Sequence, residues 1–360
     1  MQLLQTLQDI AANLKIESSE FRISYSQYPP IEPPASTVGY LQKFPQEIQC
    51  NYLNFQLFDF LYSIYFEGSH LIEVNPGIKT NEQILQKIAA TQIDWKFYEN
   101  LDINNKGKGW FHPSFRIIKE EADGNLIAEF DSGILHIQRK RHLPVDLQSA
   151  TVNDAIAIFL PSSFINKYRY TANGDACGGL PPSKPYLYTV LVYFNFSAEA
   201  AVAAMKCVTT KLNEIKVPFR FEVLHNPLNY SFYNSGVLKI FSCEYEPHQY
   251  KEYILPVLQT IYEENKSYFR EEVPIFTKVL APGIGLAERP QPGLKFKYRR
   301  DSEANYCEFV ANALLEAHQN GDESPEARMN YILQHFNRLG VDIERPYINP
   351  NSEDIYTPLD

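Results

Sequence analysis

Two blocks decide the fold: YFNFSAEAA (193–201) leading into VPFRFEVL (217–224), and PIFTKVLAPGIGLAERP (274–290). In the first block, Tyr186 to Asn195 reads as a strand. Ser197 has the hydroxyl expected of an N-cap, so a helix is predicted from Ala198 to Ile215, stopped by Pro218. Pro218 to Leu224 then alternates, with its rings on one face and Arg220 and Glu222 on the other. A further strand at Val237 to Ser242 and a long helix around Tyr250 to Phe269 follow. This order predicts an α+β fold, with helices packed on a mostly antiparallel sheet. In the second block, Pro282, Gly283 and Gly285 force a turn around a short stretch holding Lys278 and Glu288.

Working outward, Leu3, Leu4, Leu7, Ile10 and Leu14 repeat at helical spacing and predict an opening helix. Ser26 to Ser36, with YPPIEPPAS, breaks any helix and reads as a semi-rigid connector. Pro45 to Phe66 and Thr80 to Ala90 read as further helices, the second capped by Thr80. Past Trp110 the period shortens, and Ser114–Lys119, Leu126–Phe130 and Gly133–Gln138 read as a meander. Thr151–Leu160 and Lys167–Ala172 extend the strand-rich middle, and Asp301–Glu316 and Pro325–Leu339 read as helices. The tail from Tyr347 has no periodic apolar face and reads as an extended or frayed end. The expected organisation is an N-terminal helical region with a Pro-rich connector (1–100), an α+β domain (101–345) and a tail (346–360).

The 360 residues suffice for a sizeable core. With 44% hydrophobic and 21% charged residues, the chain reads as globular. Its 24 tyrosines and 23 phenylalanines exceed ordinary usage and can line grooves as well as fill a core. A net charge of −10 argues against nucleic acid, because phosphate backbones need a basic surface. The five cysteines lack a C-x-x-C pair, so neither a zinc site nor a disulfide framework is indicated, and a cytoplasmic location fits. No run approaches 18 apolar residues, so no membrane association is expected. Phosphate-loop, dinucleotide, H-E-x-x-H and G-x-S-x-G patterns are missing, which weighs against kinase, dehydrogenase, metalloprotease and serine-hydrolase chemistry. Asn105-Lys-Gly-Lys-Gly-Trp110 comes nearest to a phosphate-cradling loop, but no helix follows to supply a dipole, and a hairpin loop explains it as well.

The two blocks, in this order and spacing, resemble the HopA family of type III secretion effectors and their bacterial relatives in peptide-modification gene clusters. Weaker matches at Asn105–Trp110 and Ala172–Ala176 extend the resemblance over roughly residues 50 to 318. Relatives in lanthipeptide and thioamitide-type clusters are thought to be lyases that eliminate phosphate from phosphothreonine or phosphoserine installed by a partner kinase. The resemblance therefore implies a phosphothreonine/phosphoserine lyase-like protein acting on a ribosomal precursor peptide with a leader. It also implies a separate Ser/Thr kinase-like partner and no cofactor.

Such an elimination needs a base for the Cα proton, cations for the phosphate and a donor for the enolate oxygen. Lys278 is the candidate base, and the alternative for it is an ion pair with Glu288 or another acid. Arg220 suits the phosphate, because its planar fork grips two oxygens; pairing with Glu222 or a neighbouring strand is the alternative. Lys295, Lys297, Arg299 and Arg300, and the run Arg139–His142, could dock phosphate or an acidic leader, or form solvated surface. His112, in a matching loop, is the first choice of general acid. Asn195 and Glu288 are candidates for positioning the substrate, and Asn173 could serve likewise. Many relatives carry a His-Arg-Cys triplet where this chain has Asn305-Tyr306-Cys307, which leaves open a different acid or an inactive site. The competing reading is a noncatalytic module that holds a leader peptide or the kinase. An effector that binds a host protein is a third. The lyase reading expects Lys278 and Arg220 to converge in one cleft.

Overall fold

The computed structural model describes residues 2–26, 28–69, 92–130, 133–166, 168–179, 188–241, 250–289, 306–350 and 352–359. Its centre is a seven-stranded antiparallel sheet of β8 (Ser163–Asn166), β9 (Arg169–Asn173), β10 (Tyr188–Phe194), β11 (Phe219–Leu224), β12 (Gly236–Phe241), β13 (Lys278–Ala281) and β14 (Ile284–Glu288). The strands lie in the order β13-β14-β10-β12-β11-β9-β8. The α+β expectation holds, with every pairing antiparallel.

Alternation along the strands gives the sheet two faces. On one, Val190, Val192, Phe194, Phe219, Phe221 and Leu238 pack under α6 (Ala198–Glu214) and α7 (Leu255–Asn265). Ser197 caps α6, its hydroxyl accepting from the Ala200 amide as the sequence predicts. The helical stretch before α7 is a π-turn at Tyr250–Ile254, with Pro256 early in the α-helix. On the other face, Leu191, Tyr193 and Val237 share a core with the N-terminal helices α1 (Gln2–Asn13) and α3 (Gln46–Leu61), and with α8 (Cys307–Gln319) and α9 (Pro325–Arg338). Helices thus cover both faces.

Two expectations need correction. Part of the Pro-rich connector, Tyr28–Ile31, is β3, the edge of a three-stranded sheet with β1 (Lys15–Glu17) and β2 (Arg22–Tyr25). An edge tolerates proline, because one side of the strand has no ladder to feed. The tail is extended but not frayed: Ile348, Ile355 and Tyr356 are buried, and the Leu359 amide bonds the Leu280 carbonyl at 2.7 Å. Ala35–Leu41 forms the short α2, and the predicted helix at Thr80–Ala90 lies outside the described residues.

Helix α4 (Trp95–Asn104), capped by Asp94, leads into the predicted meander. It is β4 (Trp110–Glu120), β5 (Leu126–Phe130) and β6 (Gly133–Ile137), joined by β7 (Ala155–Leu160) in the order β6-β5-β4-β7. The short helix α5 (Arg139–His142) follows β6. This sheet has its own small core of Phe115, Ile117, Leu126, Ala128, Ile137, Ile156 and Ile158.

Candidate anion site

Strands β9, β11 and β12 gather charge on the face opposite α6. Arg220 stands directly across from Asn173 on β9 and Lys239 on β12, so these three side chains form one row. Glu222 and Thr171 form the next row. The Arg220 Nε donates to Asn173 Oδ1 at 3.0 Å, and the guanidinium lies 5.6 Å from the Phe164 ring centre and 5.9 Å from that of Phe241. Lys239 Nζ is 3.1 Å from Glu222 Oε1, and both side chains are buried. Arg169, two residues before Thr171 and so on the same face, donates through NH2 to the Asn234 carbonyl at 3.0 Å. Its NH1 and the Thr171 hydroxyl oxygen are buried without a partner among the described residues.

Among the described residues three cations therefore share this sheet face with one carboxylate, Glu222, which pairs with Lys239. Among the described residues no carboxylate pairs with Arg220. Like charges directly opposite across strands destabilise a sheet, and an anion lying between them removes the penalty. Cys177 adds no nucleophile, because burial pushes its thiol up to about 11 despite nearby Arg220. The alternation predicted for PFRFEVL is borne out, Phe219 and Phe221 being buried in the opposite core.

The two weaker motif segments meet beside this row. Lys108 and Gly109 donate their amides to Asp175 Oδ1 at 2.7 and 3.1 Å, and the Asp175 amide donates to Asn213 Oδ1 at 2.8 Å. Gly109 has φ +84°, and a Cβ there would sit 2.5 Å from the Leu160 carbonyl oxygen. The amides that could have cradled a phosphate hold an internal carboxylate instead. The loop is thus a structural link between the two sheets.

The structure does not bring Lys278 to Arg220, which corrects the expected convergence. Four strand steps separate β13 from β11, roughly 19 Å at about 4.8 Å each. The register runs Lys278, Leu286, Val192, Leu238, Phe221, which places Lys278 on the α6 face, opposite Arg220. The physical reason is the sheet order, which interposes β14, β10 and β12. Lys278 Nζ lies 2.8 and 2.7 Å from the two oxygens of Asp354, whose Oδ2 also accepts from the Tyr347 hydroxyl at 2.6 Å. Burial raises the Asp354 pKa, but the hydrogen bonds from Lys278 and Tyr347 outweigh it and hold the carboxyl below its ordinary value. The ion-pair alternative is what the geometry contains, with Asp354 as the acid. Glu288 accepts from the Asn349 amide at 2.8 Å and the Tyr356 hydroxyl at 2.9 Å. It is thereby committed to holding the tail.

The other candidates fall elsewhere. His112 sits on β4 between Phe115 and Phe130, its Nδ1 2.6 Å from the Pro113 carbonyl oxygen, on the four-stranded sheet. Asn195 ties β10 to the β13–β14 turn: its amide donates to the Gly283 carbonyl at 2.8 Å, and its Nδ2 donates to the Glu272 carbonyl at 2.9 Å. Arg139 bonds the carbonyls of Gly124, Gln148 and Ala150 and pairs with Glu120, so it braces its own sheet. Lys295, Lys297, Arg299, Arg300 and Asn305 lie outside the described residues. Tyr306 and Cys307 are buried in the second core, and burial raises both pKa values.

Sequence reasoning passed over Lys239, Arg169 and Asp354. A lysine inside the apolar run Gly236–Phe241 was the available signal for the first. Among the described residues no cluster of His, Cys, Asp or Glu could hold a metal, and no helix is long and apolar enough to cross a membrane.

The HopA1 effector protein family matches residues 162–348, just over half of the chain and the part that contains the charged row. The structure is similar to the effector protein from Pseudomonas syringae pv. tomato strain DC3000, at 14% identity and TM-score 0.40 over 83% of this chain and 98% of that one. It is also similar to the effector protein from Pseudomonas syringae pv. syringae strain 61, at 12% identity and TM-score 0.39 over 82% and 94%. No curated protein matches the chain.

Proposed function

The chain belongs to the HopA1 effector protein family, and from that premise we propose that it is lyase-like, releasing phosphate from phosphothreonine or phosphoserine in a ribosomal precursor peptide. A separate kinase installs the phosphate, and no cofactor is needed. The supporting observation is Arg220 standing directly opposite Lys239, with Glu222 paired to Lys239 and, among the described residues, no carboxylate paired to Arg220.

In this reading Arg220 grips two phosphate oxygens through its fork, held in place by two rings and Asn173. Lys239, paired with Glu222, supplies the second cation. A base removes the Cα proton, the electron pair forms the Cα–Cβ double bond, and the Cβ–O bond breaks. Inorganic phosphate leaves with the electron pair of the Cβ–O bond, the base keeps the Cα proton, and no water is consumed. With phosphate at Arg220, Lys278 is out of reach of Cα, and its role is to hold the 347–359 segment. The same face carries two groups able to move a proton, Glu222 and Lys239, 3.1 Å apart.

A second reading has one observation in its favour: the lysine first expected to act as base is already engaged by Asp354. The protein is then a module that holds phosphorylated peptide without turning it over. Incubation of the purified protein with a phosphothreonine peptide separates the two. A lyase gives a dehydrated peptide and free phosphate, lost in Arg220→Met and Lys239→Met. Binding without phosphate release supports the module, and neither binding nor release overturns both readings.

A further inference from the structure

Among the described residues the four-stranded sheet ends in an unpaired edge. β6 is its outer strand, and its register with β5 closes on Phe130 opposite Gly133. The Glu121 amide bonds the Asn125 carbonyl at 2.8 Å, so Ile127 and Glu129 turn their backbone groups to β4 and Leu126, Ala128 and Phe130 turn theirs to β6, where Ile137, Leu135 and Gly133 are their partners. The N–H and C=O groups of Ile134 and His136 therefore point away from the sheet. Among the described residues nothing bonds to these four groups.

Edges are ordinarily blunted by proline, a lysine, a bulge or a covering element. β6 reads Gly-Ile-Leu-His-Ile and has no proline, lysine or bulge. Its first four residues are exposed, with Ile134 at 60% and Leu135 at 37%. Leu135 lies on the same face as the small core, across from Ala128, and a neighbouring strand would extend that core.

Charge selects the occupant. One residue beyond β6, α5 presents Lys140 and Arg141, both exposed and without a carboxylate partner among the described residues. Arg139 beside them is consumed by carbonyls and Glu120. Glu129 stands across from Ile134, and Glu121 lies 3.4 Å from the His136 ring, so the uncompensated charge at this end of the edge is that of Lys140 and Arg141, which favours an acidic segment over a basic one. A second copy would bring the same net charge and the same two cations.

We propose that β6 is a peptide-docking edge. It takes an extended segment of alternating apolar and acidic residues as a fifth strand, with backbone pairing at Ile134 and His136 and acid at Lys140 and Arg141. This goes beyond the reading of the charged row and holds whichever chemistry Arg220 serves.

The probe is a labelled ten-residue peptide alternating isoleucine and glutamate, titrated into the full chain by fluorescence anisotropy. The controls are the lysine counterpart and the same acidic peptide N-methylated at alternate residues. We expect saturable binding of the acidic peptide alone, weakened by salt. Ile134→Lys, and separately the pair Lys140→Glu and Arg141→Glu, should each weaken it about tenfold or more. Arg220→Met should leave it unchanged, which separates failure of this proposal from failure of the lyase reading. Unaltered far-ultraviolet circular dichroism keeps the surface variants interpretable. Equal binding of the N-methylated peptide, no binding of any peptide, or a concentration-dependent dimer that Ile134→Lys abolishes would each overturn the proposal.

Discussion

Arg220→Met separates a binding residue from a structural one. The substitution removes two ring contacts near the outer limit for a cation over a π face, worth about 0.5–1 kcal/mol each. It also removes one hydrogen bond to Asn173, worth about 1 kcal/mol. Against this, it relieves a like-charge pair directly across from Lys239, worth up to about 1 kcal/mol. A thioether between two rings regains about 0.3–1.5 kcal/mol. The terms largely cancel, and we expect the variant to lie within about 1 kcal/mol of the parent in phosphate-free buffer. Ligand reverses the comparison. An anion present at about 100 times its dissociation constant stabilises the parent by about 2.7 kcal/mol. At about 2 °C per kcal/mol for a chain this long, that is a rise in Tm of about 5 °C. Thermal unfolding with and without phosphothreonine, at fixed ionic strength, reads both numbers. The reasoning fails if the variant loses about 3 kcal/mol without ligand, because Arg220 is then a keystone of the sheet. It fails equally if the variant keeps the full ligand-induced shift.

Two further substitutions and one titration test the frame. Gly283→Ala puts a Cβ 2.4 Å from the Arg270 carbonyl oxygen at φ +72°, and should lower stability by about 3 kcal/mol in urea titration. Gly124→Ala, at φ +81° with nothing within 4 Å, should lose only about 1 kcal/mol. Hydrogen bonding from His335 lowers the Glu316 pKa, the Glu344 amide lowers that of Asp342, and Asp354 is lowered as described. Folded values below the unfolded ones mean that this stability is present above about pH 4 and is lost as pH falls through the folded values. The urea midpoint should therefore drop on acidification below about pH 4, and less so in Asp354→Asn. An identical acid limb in that variant counts against Asp354 as a contributor.

The local grammar of the fold was legible wherever one strand or one helix carried it. PFRFEVL declared its two faces, Ser197 its cap, and Leu126 to Ile137 its hairpin, because period and turn chemistry are properties of a few adjacent residues. Strand order was not legible. Whether Lys278 meets Arg220 depends on four successive pairings, among segments up to about ninety residues apart, and no spacing rule encodes those. The tail misled for a related reason. INPNSEDIYTPLD has no period because three isolated side chains and polar bonds to Lys278 and Glu288 hold it, and those two partners lie 61 to 76 residues away along the chain. YPPI looked like a connector because two prolines exclude it from a sheet interior while leaving an edge open to it.

The loop that links the two sheets also sets a distance between the charged row and the docking edge. Lys108 and Gly109 bond Asp175, two residues from Asn173, which bonds Arg220. β4 leaves that junction and runs to Ile117, which lies across from Ala128 and, through it, from Leu135. Eight residues separate Gly109 from Ile117, at most roughly 27 Å at about 3.4 Å per residue, since β4 is irregular between His112 and Phe115. A peptide seated on β6 therefore cannot present a phosphorylated side chain to Arg220 from an adjacent position. It needs up to about eight extended residues in between, since each spans at most about 3.5 Å. A recognition segment separated from the modified residues fits that span, whereas a short motif immediately flanking each phosphorylation site does not. Where one substrate occupies both the edge and the row, β4 sets the gap between its two parts.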